Sequence, residues 1–325
     1  MNTPSILVVG GAGYIGSHMV RLLQDHGMRL VVLDDLSSGF ADAVSGAELL
    51  AGDAGDIHFL DRVFKERQVD AVMHFASFIQ VGESVIKPAK YYENNVGKTL
   101  TLLGAMARHG VRNFIFSSTA AIFGNPQCDL IDETHSQAPI NPYGRTKWLV
   151  ENLLPDYESA YGIRHVCLRY FNAAGAHPDG SLGERHDPET HLIPLAINAA
   201  LGRGPLLKVF GDDYPTPDGT CVRDYIHVCD LAEAHLLALQ HLRSDGNSLK
   251  LNLGNGSGYS VKQVLDTVGR VAGRAVPHTI AERRAGDPPV LVADARQARE
   301  VLGWAPTFPQ LDDIVAHAAV WHSAH

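Results

Sequence analysis

Three glycines near the start of the chain constrain its fold more than any other feature. Gly10, Gly13 and Gly16 form a GxxGxxG pattern between the β-branched apolar run 5–9 and a helical pattern. Such glycines let a strand turn sharply into a helix and let backbone N–H groups approach a pyrophosphate at the helix N-terminus. Asp34 follows 18 residues after Gly16, where an acid can accept hydrogen bonds from a ribose diol. The pattern predicts a dinucleotide site, although the glycines alone would also fit a plain strand–helix turn.

The acids after the second apolar run indicate which dinucleotide binds. Asp35 stands beside Asp34, and the next arginine along the chain is Arg62. Two adjacent carboxylates repel a 2′-phosphate, so we predict NAD rather than NADP as the cofactor.

Short apolar runs alternate with helical patterns through the first 170 residues. The runs lie at 30–33, 47–50, 71–75 and 113–116, with helical patterns between them, one of them near 88–109. This alternation is typical of βαβ units. We therefore predict an α/β fold with a Rossmann-like, doubly wound parallel sheet.

The second half of the chain differs from the first in composition and periodicity. Residues 172–190 and 211–220 are rich in Gly, Pro, Asp and His, which predicts long ordered loops, and helical patterns follow them. We expect an NAD-binding domain at 1–171, with the segment at roughly 224–255 packing back on it. The remainder, 172–325, should mostly form a smaller substrate-binding cap.

Charge and composition exclude several classes of function. Asp and Glu number 36 against 27 Lys and Arg, a formal charge of −9, which disfavours nucleic-acid binding. We expect no membrane segment and no secretory leader, because no long apolar window or basic N-terminal region is present. The four cysteines are scattered, and the histidines, including His186, lack a convergent ligand spacing. We therefore expect a cytoplasmic protein without a bound metal.

A tyrosine, a lysine and a threonine form the candidate catalytic set. Thr119 ends the fifth apolar run, where ligands bind in open α/β sheets. Tyr143 and Lys147 follow the helix-starting pair Asn141-Pro142 and are four residues apart, so they share one helix face. A phenol has an ordinary pKa near 10 and is a poor base at pH 7, but a nearby ammonium and a positive nicotinamide both favour the phenolate. A YxxxK pair alone is weak evidence for a catalytic site. Together with the glycine turn and the strand-end hydroxyl, the pair predicts catalysis.

Motifs along nearly the whole chain resemble a known family. They include GGAGYIGSH (10–18), FIFSSTAAIFG (114–124), NPYGRTK (141–147), LRYFNAAGAHPDG (168–180), HLIP (191–194), VFGDDYPTPDGTCVRDYIHVCDLAEAH (209–235) and RRAGDPP (283–289). The chain resembles the extended short-chain dehydrogenase/reductases and, within them, the UDP-glucose 4-epimerases. The stretch PTPDGTCVRDYIHV is particularly specific to nucleotide-sugar epimerases.

The resemblance implies that UDP-glucose and UDP-galactose are interconverted by inversion at C4. Tyr143 would remove the proton of the 4-hydroxyl, tightly held NAD would take and return the hydride, and Lys147 would hold the nicotinamide ribose. Thr119 stands where many relatives have serine. The expected cofactor contacts are Gly10, Gly13, Tyr14, Ile15, Gly16, Asp34, Asp35, Leu36, Ser37, Ser38, Asp53, Ala54, Phe75, Ala76, Ser77, Asn94, Thr119, Tyr143, Lys147 and Phe171.

The resemblance also implies a set of substrate contacts. Arg223 and Arg284 would hold the two phosphates, Asn172 the sugar–phosphate region, and Phe210 the uracil face. The full expected set is Thr119, Tyr143, Asn172, His191, Leu192, Lys208, Phe210, Arg223, Tyr225, Arg284, Asp287 and Leu291. His191 stands where relatives often have Asn.

Three departures from the family pattern carry expectations of their own. Ile79 replaces a lysine that reaches the cofactor phosphates in the best-known epimerases. Pro155 falls inside the helix that begins at Pro142 and should kink or end it early. Leu291 matches the position that, in relatives, limits the room for the 2-substituent of the sugar. Because leucine is intermediate in size, N-acetyl sugars stay open as alternative substrates.

Other functions stay open beside UDP-glucose epimerisation. The same fold carries epimerases of UDP-GlcNAc, UDP-xylose or UDP-glucuronate, and sugar-nucleotide dehydratases and decarboxylases. The last two need an acidic residue directly after the active-site threonine, where this chain has Ala120-Ala121. A non-catalytic NAD sensor would be expected to lack the Tyr143–Lys147 pair. The resemblance further implies a homodimer whose helices near 88–109 and 142–160 pair across subunits.

Overall fold

The computed structural model describes residues 5–284 and 287–325. In chain order the strands are β1 (Ser5–Val9), β2 (Leu30–Asp34), β3 (Glu48–Ala51), β4 (Val69–His74), β5 (Asn113–Thr119), β6 (Leu130–Ile131), β7 (Arg164–Tyr170), β8 (Asn172–Ala174), β9 (Leu207–Phe210), β10 (Val222–Arg223), β11 (Tyr225–His227), β12 (Leu249–Leu253), β13 (Tyr259–Ser260), β14 (His278–Ala281) and β15 (Val290–Ala293). The α-helices are α1 (Tyr14–Asp25), α2 (Ile57–Arg67), α3 (Val81–Ile86), α4 (Pro88–Tyr92), α5 (Thr99–His109), α6 (Pro142–Tyr161), α7 (Leu192–Ala200), α8 (Val228–Arg243), α9 (Val261–Ala272), α10 (Arg296–Leu302) and α11 (Leu311–Ala324).

A seven-stranded parallel sheet forms the larger part of the molecule. Its strand order is β12-β7-β5-β4-β1-β2-β3, so the order reverses beside β1, where ligands bind in open α/β sheets. Both faces of β1 are apolar: Ile6 and Val8 enter the core on one side, and Leu7 and Val9 enter the core on the other. Strands that are buried on both faces have continuous hydrophobic sequences. The short apolar runs predicted this sheet for that reason. The doubly wound fold is confirmed.

A smaller layer lies over the carboxyl ends of the strands. Helices α7, α9 and α11 share a separate apolar core, and short strands form a sheet in the order β13-β10-β15-β6. The chain also returns to the large sheet, because β12 pairs in parallel with β7 and α8 contributes to the core beneath β1.

The prediction that Pro155 ends its helix early is wrong. Helix α6 continues to Tyr161 with Pro155 inside it. Proline cannot donate the hydrogen bond that the carbonyl four residues earlier would normally accept. That carbonyl belongs to Glu151, and it accepts a hydrogen bond of 2.8 Å from Lys250 Nζ instead. A side chain from β12 thus supplies the donor that proline lacks.

Candidate active site

One cavity of about 820 Å³ runs along the carboxyl ends of β1, β2, β4 and β5 and continues under the smaller layer. Every predicted cofactor contact, from Gly10 to Phe171, lines its wall. The cavity therefore joins the glycine turn, the acids that follow the second strand, and the candidate catalytic side chains in a single space. Its size is typical of a site for a small molecule or cofactor.

The glycine turn brings backbone close to the cavity in a way that side chains would prevent. Gly10 has φ +78°, and a Cβ there would lie 2.4 Å from the backbone nitrogen of Ala76. A Cβ on Gly16 would lie 2.2 Å from the carbonyl oxygen of Gly10. Helix α1 begins with Gly13 as its N-cap, without a side-chain cap. Its first N–H groups are thus free of a capping side chain and can bind an anion.

Asp34 is held in a fixed position at the end of β2. Its Oδ2 accepts a hydrogen bond of 2.9 Å from the Ala12 N–H, and its Oδ1 accepts one of 2.9 Å from the Leu36 N–H. Burial raises the pKa of Asp34, against those two hydrogen bonds. A buried, oriented carboxylate on the cavity wall fits the predicted contact with a ribose diol.

A lysine that sequence reasoning missed lies beside these acids. Lys98 Nζ is 2.9 Å from Asp53 Oδ1 and 3.6 Å from Asp35 Oδ2, and it lines the cavity. It belongs to a π-helical stretch, Glu93–Lys98, that joins α4 to α5. Helical periodicity could not have placed Lys98 at the cavity, because the extra residue per turn shifts every later side chain.

Tyr143, Lys147 and Thr119 converge at the end of β5. Asn141 Oδ1 caps α6 by accepting a hydrogen bond of 2.8 Å from the Gly144 N–H, which sets the start of the helix that carries Tyr143 and Lys147. All three side chains are buried at the cavity wall, with Tyr143 9% and Lys147 2% exposed. The predicted catalytic set is therefore assembled in one place.

Lys147 is anchored by neutral oxygens rather than by an ion pair. Its Nζ donates hydrogen bonds of 2.7 Å to Ser77 Oγ and 2.7 Å to the Ser117 carbonyl. Burial lowers the pKa of Lys147 to about 7, although the Glu151 carboxylate raises it.

The electrostatic effect expected on Tyr143 is not seen in the chain alone. Burial raises the pKa of the Tyr143 phenol, and the hydrogen bond with Thr119 opposes that shift. Burial therefore dominates the pKa of this phenol in the chain alone. Because positive charge favours a phenolate, the nicotinamide of bound NAD would lower this pKa.

A buried ion pair links the helix that carries Tyr143 and Lys147 to the central sheet. Glu151, one turn beyond Lys147, accepts hydrogen bonds from Arg169 Nε at 3.0 Å and Arg169 Nη2 at 2.6 Å, and from Ser118 Oγ at 2.5 Å. Glu151 is fully buried and Arg169 is 1% exposed. The pair ties α6 to β5 and β7, the two strands nearest the catalytic hydroxyls. Glu151 lies four residues after Lys147 on the same helix face, a signal that could have found it.

The structure brings part of the predicted substrate set to the cavity. Seven of these residues line it: Thr119, Tyr143, Asn172, His191, Arg223, Asp287 and Leu291. Arg223 forms an ion pair with Asp287. Ile79 also lines the cavity and is 40% exposed, so an apolar side chain stands where the family pattern has a lysine.

The other predicted substrate contacts lie outside the cavity wall. Lys208 and Phe210 are on β9, Tyr225 is buried on β11, and Leu192 begins α7. The Arg284 guanidinium lies 4.0 Å from the centre of the Phe210 ring. This cation–π contact covers one face of the ring to which the resemblance assigns uracil stacking.

Comparison with known proteins agrees with this geometry. Residues 6–254 match the family model described as the NAD dependent epimerase/dehydratase family. The UDP-glucose 4-epimerase of Halalkalibacterium halodurans is 50% identical over 321 residues, which cover 99% of this chain and 96% of that protein. The chain belongs to the NAD dependent epimerase/dehydratase family.

Two further members of the family are similarly close. The UDP-glucose 4-epimerase of Azospirillum brasilense is 53% identical over 320 residues, covering 98% of this chain and 92% of that protein. The crystal structure of UDP-glucose 4-epimerase from Brucella ovis in complex with NAD is 52% identical, covers 98% of both chains and superposes with a TM-score of 0.96. Membership confirms the predicted cofactor, NAD, and the glycine turn and buried Asp34 fit it.

Helices long and apolar enough to cross a membrane were not found in residues 5–284 and 287–325.

Proposed function

We propose that this enzyme interconverts UDP-glucose and UDP-galactose by inversion at C4 through a transient 4-keto sugar. The observation that carries the proposal is the convergence of Tyr143, Thr119 and Lys147 in the cavity that also contains the glycine turn. This convergence places three groups next to a dinucleotide site: the acid–base hydroxyl of Tyr143, the hydrogen-bonding hydroxyl of Thr119, and the Lys147 amine. The relatives named UDP-glucose 4-epimerase support the same activity.

Tyr143 holds and moves the proton of the sugar hydroxyl. Its phenolate takes the proton when the alcohol becomes a ketone, and the resulting phenol gives the proton back when the alcohol re-forms. Thr119, which lines the cavity together with Tyr143, can orient the sugar oxygen and the phenol together. When bound, NAD supplies a reversible hydride acceptor.

Lys147 positions the cofactor and does not transfer the proton. Its hydrogen bonds to Ser77 and Ser117 fix the Nζ at the cavity wall, where it can also donate to ribose hydroxyls of the cofactor. We infer that the predicted NAD contacts act together in this way, because all of them face the one cavity.

Arg223 is the cavity-lining cation that we propose for the diphosphate. Its guanidinium is paired with Asp287, so binding two phosphates requires Arg223 to exchange or share that partner. Asn172 also lines the cavity, and its Nδ2 donates a hydrogen bond of 2.9 Å to the carbonyl of Asp224, the residue after Arg223. The remaining predicted substrate contacts do not line this cavity; they are Leu192, Lys208, Phe210, Tyr225 and Arg284.

Leu291 bounds the space available to the sugar. It lines the cavity and packs against the small apolar cluster around Phe123. A branched side chain leaves more room than an aromatic one and less than glycine, so we propose UDP-glucose and UDP-galactose as main substrates and N-acetyl sugars as slower ones. UDP-xylose and UDP-glucuronate are the alternatives in the same reaction class.

The other reaction classes fit the cavity less well. Ala120 and Ala121 line it directly after Thr119, and methyl groups cannot donate the proton that dehydration or decarboxylation requires at that position. A non-catalytic NAD sensor would not need a buried Tyr143 and Lys147, because burying an unpaired ammonium is costly without a catalytic use.

Conversion of UDP-galactose tests the proposal directly. Purified protein is incubated without added NAD, separately with UDP-galactose and with UDP-GalNAc, and the products are separated by chromatography. We expect UDP-glucose to form, and UDP-GlcNAc to form more slowly. Failure of both substrates with NAD shown to be bound would contradict the proposal and direct attention to UDP-pentoses, UDP-uronates and then a sensor role.

We also propose a homodimer and a cytoplasmic location, as the resemblance and the sequence predict. Leu100 on α5 is 39% exposed on one of the helices expected to pair. The four cysteines are free thiols, as in proteins of reducing compartments. A monomeric mass by light scattering would contradict the dimer.

A further inference from the structure

Two glutamates and two histidines meet beside the cavity, in the loop before α7. The group consists of Glu184, His186, Glu189 and His191, and one ligand-capable atom from each lies within 4.8 Å of every other. We call these four residues the 184–191 cluster. Its ExHxxExH spacing is not a common metal motif, which is why the sequence predicted no metal ligands here.

The nitrogen–oxygen distances in the 184–191 cluster, from 2.8 to 3.7 Å, lie around those of a tetrahedral metal site. His191 Nδ1 lies 2.8 Å from Glu184 Oε1 and 2.9 Å from Glu189 Oε1. His186 Nδ1 lies 3.2 Å from Glu184 Oε1 and 3.7 Å from Glu189 Oε2. Metal–ligand bonds of about 2.0–2.1 Å place neighbouring ligands of a tetrahedral zinc ion about 3.3 Å apart. The four atoms need only small shifts to surround one ion.

One atom of the cluster lacks a hydrogen-bond partner although it is buried. His186 Nδ1 has no hydrogen bond among the described residues, because its approach to Glu184 does not have hydrogen-bond geometry. A buried polar atom without a partner is costly, and water or an ion usually satisfies such atoms in proteins.

Other contacts hold the carboxylates in place. Glu189 Oε1 accepts hydrogen bonds from the backbone N–H groups of Thr190 and His191, at 2.6 and 2.8 Å. Glu184 is 3% exposed, and its backbone carbonyl accepts a hydrogen bond of 3.0 Å from Trp321 Nε1 on α11. Such surrounding hydrogen bonds orient metal ligands and sustain affinity.

We propose that the 184–191 cluster binds one zinc ion in a structural role. Two imidazole nitrogens select a transition ion over Mg²⁺ or Ca²⁺, and two carboxylates neutralise its double positive charge. Four protein ligands close the coordination shell, so no position remains for a substrate or an attacking water. The ion fastens the loop to the start of α7 and fixes the cavity wall that Glu184, His186 and His191 form. His191 then serves as a zinc ligand instead of a side-chain contact for the sugar.

Zinc content and zinc-dependent stability test the site. Tag-free protein is purified in zinc-free buffer, and its zinc is counted by elemental mass spectrometry. A second sample is stripped with a chelator, and its melting temperature is recorded with and without ZnCl₂. His186→Ala removes one ligand, and His58→Ala removes an exposed histidine on α2 as the matched control.

We expect about one zinc per chain in the parent and in His58→Ala, with a melting temperature that ZnCl₂ raises after stripping. His186→Ala should lose more than the ~10–100-fold in zinc affinity that changes around a metal site produce, and its melting temperature should not respond. A parent without zinc and without a ZnCl₂ response would overturn the proposal, as would an equal response in His186→Ala. If His186→Ala does not fold, Glu189→Gln replaces it with the same expected outcome.

Discussion

Removing one oxygen atom from Tyr143 separates a catalytic from a structural role for this residue. Tyr143→Phe keeps the ring in its buried position on α6. The lost hydroxyl lies at the cavity wall with Thr119, and the loss of one hydrogen bond costs about 1 kcal/mol of stability. The melting temperature should therefore fall by no more than about 3 °C.

The expected loss of activity is much larger. A side chain that transfers a proton in the transition state contributes about 10²–10⁴-fold in rate, which corresponds to roughly 3–5 kcal/mol of barrier. We predict that kcat for conversion of UDP-galactose to UDP-glucose falls by that factor. The assay is product formation by chromatography, with bound NAD measured in the same samples so that loss of cofactor is not mistaken for loss of chemistry.

Tyr157→Phe is the matched control. Tyr157 lies on the same helix, packs against the apolar core and does not line the cavity. Its variant should keep kcat within about twofold of the parent. A Tyr143→Phe enzyme with kcat within threefold of the parent would refute the role of Tyr143 as acid–base, whatever the effect on stability.

Three further predictions concern stability and cofactor binding. Glu151→Gln leaves Arg169 as a buried charge without its partner and should lower the free energy of unfolding by about 3–5 kcal/mol. Urea unfolding measures this loss, with Glu158→Gln on the same helix as the control. A loss below 1 kcal/mol would contradict the prediction. Asp34→Ala leaves the Ala12 and Leu36 N–H groups without their acceptor and should leave less NAD on the protein after gel filtration, whereas parent-like NAD content would argue against the assigned contact. Burial lowers the pKa of His18, His74, His227 and His235 well below 6.5, so the unfolded chain takes up protons at these four sites before the folded chain does as the pH falls. Their contribution to stability should be level above about pH 6.5 and should decline toward pH 4, by up to ~2 kcal/mol for each histidine at pH 5. Equal urea midpoints at pH 7 and pH 5 would contradict this.

The parts of the fold that follow from local sequence were predictable. Strands covered on both faces leave continuous apolar runs, and the glycine turn with Asp34 locates the switch point of the sheet. Tyr143 and Lys147 could be paired because four residues bring side chains to the same helix face. These signals all act over short stretches of chain.

Features that depend on distant partners could not be read from the sequence. Helix α6 passes Pro155 because Lys250, 95 residues later, reaches the Glu151 carbonyl. Lys98 reaches Asp53 because a π-helical stretch changes the phase of its helix. The 184–191 cluster is local in sequence, but only the folded loop turns its four side chains toward one point.

A deuterium label tests the central claim of inversion at C4 most directly. UDP-galactose carrying deuterium on C4 is incubated with the purified enzyme without added NAD, and the UDP-glucose is analysed by mass spectrometry and NMR. If the hydride leaves and returns to the same carbon inside one closed cavity, UDP-glucose forms and keeps its deuterium on C4. Absence of UDP-glucose, or UDP-glucose that has exchanged its label with water, would contradict the proposed chemistry.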